Sequence, residues 1–175
     1  MSALEEYNLS AGAVARLTDP TPDLQRNYRQ RDMIDGYGEK QENGRYNYNI
    51  IDLVGFWICD RLSQRGQVMD RRDGFAIGRR VARGIIVKVI KNERGIEHRP
   101  SYRYMLSDGC RLEGKVYGSS IGVVSNLSAV ADLKFDRIEI INIDRLAKTM
   151  PAEIKALVMT AAENEADKFL EANDE

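Results

Sequence analysis

The sequence is poor in the residues that hold metals, cofactors or disulfides. It contains one histidine, His98, and two cysteines, Cys59 and Cys110, in 175 residues. None of them has the CxxC or HxxxH spacing of an ordinary zinc site. Two cysteines are also too few to build a disulfide scaffold for a chain of this length. We therefore expect no metal ion and no cofactor.

Long apolar runs are also missing. No run approaches the ~18 residues that a membrane-spanning helix needs. The first ten residues, MSALEEYNLS, lack the basic end and apolar stretch of a signal peptide. These absences predict a soluble cytoplasmic protein with no membrane partner.

Enzyme motifs are the third absence. The sequence has no P-loop, no GxSxG and no GxGxxG after a predicted strand. Ser119, Ser120 and Asp108 have no candidate base other than His98, and nothing in the sequence brings it near them. We therefore expect no enzymatic activity.

Charge is present in both signs but is unevenly distributed. Charged residues make up 30% of the chain and apolar residues 43%, an ordinary globular mixture that fits one mid-sized domain or two small ones. Residues 1–100 hold 17 Lys/Arg against 14 Asp/Glu, and residues 101–175 hold 9 against 13. A mildly basic N-terminal part and an acidic C-terminal part favour an anion-binding N-terminal region.

Two short helices are predicted near the N-terminus. Ser10 is a suitable N-cap for a helix over 11–17, and Thr18-Asp19-Pro20 breaks the chain. Thr21 caps a second helix that starts with Pro22 and runs to about Arg31. Two short helices across such a break have the outline of a helix-turn-helix.

A hairpin and two longer helices follow. Residues 35–49 predict a β-hairpin that turns at Asn43-Gly44. Asn49 is a cap for a third helix over about 50–65, which Gly66 ends, and a fourth helix covers about 72–90. The third helix has an apolar stripe at Leu53, Phe56, Trp57, Cys59 and Leu62, and the fourth has one at Phe75, Ala82, Ile85 and Val89.

The back of the chain has strand patterns. Residues 101–106 and 111–118 predict two strands around Asp108-Gly109, and RIEIINI, 137–143, predicts a third. Asp144 is a cap for the helix after it, and 152–171 has a helical pattern. The fold class is therefore α+β, with a mainly helical domain over 1–90, a polar linker over 91–100 and a small α/β dimerisation or protein-interaction domain over 101–175.

Residues 9–90 resemble the MerR-type winged helix-turn-helix DNA-binding domain, an arrangement that excisionase-like proteins share. The resemblance rests on Thr21-x-Asp23 with Arg26-x-Tyr28 and Met33-Ile34, on Gly44-Arg45-Tyr46-Asn47-Tyr48 and on Asp52-Leu53 with Gly66. It implies that the second helix is the recognition helix and the hairpin the wing. Gln25 stands where the family usually has a leucine, and Leu24 supplies the apolar residue one position earlier.

The side chains of these elements suit DNA. Arginine reads guanine, asparagine or glutamine reads adenine, and cations and hydroxyls bind phosphates. On the second helix Gln25 and Arg29 share a face, as do Arg26 and Arg29. Each group also has a structural interpretation. The second helix would present an ordinary solvated face, and Arg45 and Tyr46 would lie at an exposed hairpin tip. Tyr28 and Tyr48 would pack in the core. The candidate DNA-binding residues are Thr21, Gln25, Arg26, Tyr28, Arg29, Gln30, Arg45, Tyr46 and Tyr48.

The sequence thus predicts a sequence-specific transcriptional regulator of MerR-like type that binds double-stranded DNA as a homodimer. Two alternatives stay open: an excisionase-like architectural factor that bends DNA, and a protein–protein adaptor that contacts RNA polymerase. Arginines 71, 72, 79, 80 and 83 extend the phosphate contacts in one interpretation, and form a solvated side of the fourth helix in the other. The operator, any effector and the choice between activation and repression do not follow from the sequence.

Overall fold

The computed structural model describes residues 2–63, 71–97 and 138–171, together with 102–106, 111–112, 115–116, 121–124 and 128. A single 3-10 turn at Ala3–Glu5 precedes the helices. The helices are α1 Ala11–Leu17, α2 Pro22–Gln30, α3 Ile50–Ser63, α4 Arg71–Glu93, α5 Ile143–Lys148 and α6 Ala152–Glu171. The strands are β1 Leu9–Ser10, β2 Glu39–Lys40, β3 Tyr46–Tyr48, β4 Tyr102–Leu106, β5 Arg111–Leu112, β6 Lys115–Val116, β7 Ile121–Val124 and β8 Ile138–Asn142. This mixture of helices and small sheets confirms the α+β class.

The caps of the first helices lie where the sequence predicts them. The Ser10 hydroxyl accepts a hydrogen bond from the Ala13 amide at 3.2 Å, and the Thr21 hydroxyl accepts one from the Leu24 amide at 3.3 Å. Each bond satisfies an amide that the first turn of a helix leaves without a partner. Ser10 therefore fixes the start of α1, and Thr21 fixes the start of α2 after the short break.

The predicted hairpin is present and belongs to a three-stranded antiparallel sheet in the order β1-β3-β2. Gly44 has a φ of +77°, and the Asn43 side chain accepts a hydrogen bond from the Arg45 amide at 2.9 Å. A positive φ at the turn is the conformation that glycine adopts without strain. The sequence analysis missed β1, which has only two residues and pairs with β3 across about forty residues of chain.

α3 is the central helix of the N-terminal part. The predicted apolar stripe is buried at Leu53, Phe56, Trp57 and Cys59, and Leu62 is partly buried. Burial extends beyond the stripe to all eleven residues from Ile50 to Asp60, so other elements cover α3 on every side there. Its start is a reciprocal cap, in which the Asn49 side chain accepts from the Asp52 amide at 2.8 Å and Asp52 accepts from the Asn49 amide at 3.3 Å.

α4 packs closely along α3. A Cβ added at Gly78 would lie 2.3 Å from the carbonyl oxygen of Gly55, so glycine at this position allows the two backbones to approach. The predicted apolar face of α4 is buried. The helix continues to Glu93, three residues into the segment predicted as a linker, and ends before Gly95, whose φ is +63°. The division into domains itself stays a prediction.

The back of the chain contains the three-stranded sheet β7-β4-β8, with β4 antiparallel to both neighbours. The prediction that 111–118 forms one strand beside 101–106 is wrong, because β5 and β6 pair with each other across the two residues 113–114. The cap of α5 is Asn142, which accepts from the Arg145 amide at 2.9 Å. The predicted cap Asp144 instead forms an ion pair with Lys88 at 3.3 Å.

The two parts of the chain share one buried cluster. Ile154, Val158 and Ala161 of α6 belong to the same cluster as the core of α3 and α4. A second ion pair, between Lys155 of α6 and Glu93 of α4, is 2.9 Å long. β8 exposes Ile140 and buries Ile141. Predictions made for Gly66, His98, Cys110, Ser119, Ser120 and Asp108-Gly109 fall outside the described residues.

Candidate nucleic-acid interface

The rotation of α2 on the core decides which side chains it exposes. Gln25 is only 2% exposed, whereas Leu24 is 41% exposed. Gln25, one of the predicted DNA-binding residues, therefore faces the core, and Leu24 faces outward. Gln25 occupies the inward position at which the resemblance expects a leucine, so the polar residue faces the core and the apolar residue faces out.

Gln25 joins the two short helices. Its amide nitrogen donates hydrogen bonds to the carbonyl oxygens of Ala11, at 3.1 Å, and Pro20, at 2.8 Å. These two carbonyls belong to the start of α1 and to the break, so one side chain fixes both against α2. Gln25 was predicted to read a base. Its side chain is buried and its amide nitrogen already donates two hydrogen bonds, so it holds the two helices together instead.

Arg29 joins α2 to the hairpin. Its guanidinium lies 3.6 Å from the ring centre of Tyr46 and donates a hydrogen bond to the Tyr37 carbonyl at 2.8 Å. A second contact, to the Tyr48 hydroxyl, is 3.4 Å long. A guanidinium with these partners is oriented by the protein itself. Arg29 therefore positions the hairpin relative to α2.

Tyr28 and Tyr48 pack inward. Tyr48 is 1% exposed, and its ring centre lies 5.3 Å from that of Phe56; burial raises the pKa of its hydroxyl. The contact of its hydroxyl with a phosphate stays a prediction. Tyr28 is half-buried with its ring centre 5.2 Å from that of Phe75, and burial raises its pKa as well. The alternative of tyrosines that pack in the core describes both rings.

The remaining candidates on α2 face outward. Thr21, Arg26 and Gln30 are exposed, and they share the outer face with Asn27 and Arg31, which the sequence analysis missed. The sequence analysis lacked the rotation of α2 about its axis. When Gln25 faces inward, Asn27, two residues later, faces outward. Arg26 forms a 3.2 Å ion pair with Asp23 in which both side chains are mostly exposed, 72% and 85%. Such a surface pair holds its partners weakly.

A cleft of about 520 Å³ separates α2 from the hairpin. We call it the α2–hairpin cleft. Arg26 and Arg29 contribute to one wall, and Arg45 and the half-buried Tyr46 contribute to the other. Among the described residues that line it there are three arginines and no aspartate or glutamate. The cleft therefore has the charge that favours an anionic chain.

The break between α1 and α2 is tied to the core by Asp60. The buried carboxylate of Asp60 accepts a hydrogen bond from the Asp19 amide at 2.7 Å and pairs with Arg71 at 3.2 Å. Arg71 also pairs with the Asp19 carboxylate at 2.8 Å. Burial raises the pKa of Asp60 to about 6, although the Asp19 amide and Arg71 both favour its charged form.

Three arginines of α4 contact other residues of the protein. Arg71 binds Asp19 and Asp60, and Arg83 pairs with Glu5. The Arg79 guanidinium lies against Gly36, where an added Cβ would be 1.9 Å from its nitrogen. Arg71 therefore has a structural role, whereas Arg79 and Arg83 remain exposed, and the two interpretations of this group both stay open.

No three or more His, Cys, Asp or Glu side chains come together as a metal site in the part of the chain that the structure describes. Within the same residues, no helix is both long enough and apolar enough to cross a membrane. Comparisons with protein-family models, with curated proteins and with solved structures found no match for this chain.

Proposed function

We propose that the protein is a sequence-specific DNA-binding transcriptional regulator whose N-terminal part is a winged helix-turn-helix of MerR-like type. In this proposal α1 and α2 are the helix-turn-helix, α2 is the recognition helix, and the β2–β3 hairpin is the wing. The capped break, the order of the elements and the hairpin beside α2 support this assignment.

One observation carries the proposal: α2 is anchored by two polar side chains and keeps another polar set exposed. Gln25 and Arg29 are bound to other parts of the protein, whereas Arg26, Asn27 and Gln30 face outward. Guanidinium and carboxamide groups are the side chains that read guanine and adenine in the major groove. An anchored helix that presents these groups is suited to reading bases.

The arginine-lined cleft supports contact with the DNA backbone. Arg45 is exposed at the hairpin and Arg26 at α2, on opposite walls of the α2–hairpin cleft. Two cations on either side of a groove bind a chain of phosphates and make the affinity fall with salt concentration. In this proposal Arg26 and Arg45 grip the backbone, while Asn27 and Gln30 contact base edges.

The proposal includes a homodimer, with the C-terminal part supplying the contact between subunits. A two-fold dimer of such domains binds two half-sites about one turn of DNA apart and predicts a near-palindromic operator. The exposed Ile140 on β8 is an apolar side chain available to such a contact.

The experiment that tests the proposal is selection from a randomised DNA pool by the purified full chain at two salt concentrations. An enriched motif is the expected result, and two-fold symmetry in it would support the dimer. Binding without a motif that disappears at the higher salt would replace the regulator with an architectural, excisionase-like factor. Absence of binding at both salt concentrations would contradict DNA binding and favour the protein adaptor.

A further inference from the structure

Leu24 is an apolar side chain at the edge of the polar outer face of α2. It is the third residue of α2, and its neighbours one turn away on the exposed side are Thr21 and Asn27. Single exposed leucines are common on proteins. Leu24 differs from them by its position one turn before Asn27, a side chain that the proposed function assigns to base edges in the major groove.

The core accounts for Gln25 but leaves Leu24 partly exposed. The Gln25 carboxamide bridges α1 and the break through the carbonyl oxygens of Ala11 and Pro20, which an apolar side chain at position 25 could not do. Leu24, the residue before it, is 41% exposed, so apolar surface remains in water that contact with a partner would remove.

The major groove offers one apolar group at the edge of a base, the 5-methyl group of thymine. The N-terminal residues of a recognition helix are the ones that reach base edges. Leu24 belongs to this part of α2, one turn before Asn27. Contact between the Leu24 side chain and a methyl group would remove both from water, whereas a polar side chain there would gain nothing from the methyl.

We propose that Leu24 makes the protein prefer thymine at one position of its site, through contact with the thymine methyl group. This inference rests on the proposed function and adds a specificity determinant to it. Arg26 contributes affinity through the DNA backbone, and Asn27 and Gln30 read other positions. Leu24 distinguishes thymine from uracil, which differs from it only by that methyl.

The test replaces each thymine of the selected site, one at a time, by deoxyuridine and measures the affinity of the wild type and of Leu24→Ala. The wild type should lose about four-fold in affinity at one position, the effect of about one buried methyl group. Leu24→Ala should bind the thymine and uracil forms of that position equally. Val87→Ala removes another exposed apolar side chain, on α4, and should behave as the wild type.

Three results separate the outcomes. Equal loss by the wild type and Leu24→Ala at every position would overturn the role of Leu24 and leave the proposed function standing. A selected motif without thymine would overturn it as well. Failure of the wild type to select any motif would refute the proposed sequence reader and this inference with it.

Discussion

The guanidinium of Arg29 stacks over the ring of Tyr46, 3.6 Å from its centre, and so connects α2 to the hairpin. The same side chain donates to the Tyr37 carbonyl at 2.8 Å. These contacts of Arg29 help to set the position of the hairpin relative to the helix.

Arg29→Ala should destabilise the fold. It removes a cation–π contact and a charge-assisted hydrogen bond, which together are worth about 1–3 kcal/mol. Arg45→Ala, at the exposed hairpin, removes the same charge and should change the free energy of unfolding by less than about 0.5 kcal/mol. Urea unfolding of both variants measures the difference. Equal stability of the two would contradict the structural role of Arg29.

Gln25→Glu should be strongly destabilising at neutral pH. The substitution replaces an amide donor by a carboxylate that faces the carbonyl oxygens of Ala11 and Pro20. A buried charge without a partner costs about 3–5 kcal/mol.

Burial would raise the folded-state pKa of the carboxyl group that Gln25→Glu introduces, so its penalty should shrink as pH falls and the group becomes neutral. The measurement is the urea midpoint of Gln25→Glu at pH 5 and pH 8. Gln30→Glu makes the same change on the exposed side of α2, and its midpoint should stay near that of the wild type at both values. A small effect of Gln25→Glu at pH 8 would place residue 25 on the surface.

Asp60 should make the wild type less stable as pH rises from about 4 to about 6. Its pKa is raised in the folded state to about 6, so the folded protein binds this proton more tightly than the unfolded chain does. The stabilisation is complete below the unfolded pKa and is lost as pH rises through the folded pKa. A shift of this size corresponds to about 3 kcal/mol at most.

The pKa of Asp52 is also raised by burial and acts in the same direction, so the test compares variants. Urea unfolding between pH 4 and pH 7.5 should give a steeper decline with pH for the wild type than for Asp60→Asn. Asp23→Asn, at an exposed position, should retain the wild-type slope. Identical slopes for wild type and Asp60→Asn would contradict the raised pKa.

Gly78→Ala should destabilise the packing of α3 against α4. The added Cβ would meet the Gly55 carbonyl oxygen at 2.3 Å, and overpacking of this kind costs about 1–3 kcal/mol. Gly12→Ala in α1 has open space, with its nearest neighbour at 4.0 Å, and should stabilise the helix by about 0.5–1 kcal/mol. Thermal unfolding should show a lower Tm for Gly78→Ala and a higher Tm for Gly12→Ala. A change of Tm in the same direction for both variants would contradict the close approach of the helices.

Local signals in the sequence were sufficient for the helix starts. Ser10, Thr21 and Asn49 cap the helices they were predicted to cap, because an N-cap bond involves residues only two or three positions away. The turn at Gly44 was also predicted from neighbouring residues alone. The α+β class followed from the same patterns.

Features that depend on residues far apart in the sequence could not be predicted. The inward position of Gln25 depends on the carbonyls of Ala11 and Pro20, which lie on other elements and leave no mark in the periodicity of α2. Strand β1 depends on a partner about forty residues away. Of the nine candidate residues, Gln25, Tyr28 and Tyr48 pack inward. The residue types were informative, but the rotation of α2 about its axis could not be predicted from them.

The most direct measurement of the central claim is the salt dependence of binding to the selected site by the wild type, Arg26→Ala and Arg94→Ala. Both substitutions remove one exposed arginine, but Arg94 follows α4 and is outside the α2–hairpin cleft. We expect Arg26→Ala to weaken binding and to reduce the slope of log affinity against log salt by about one, the loss of one phosphate contact. Arg94→Ala should keep the wild-type slope. Equal affinity and slope for the two variants would contradict the assignment of the outer face of α2 to DNA.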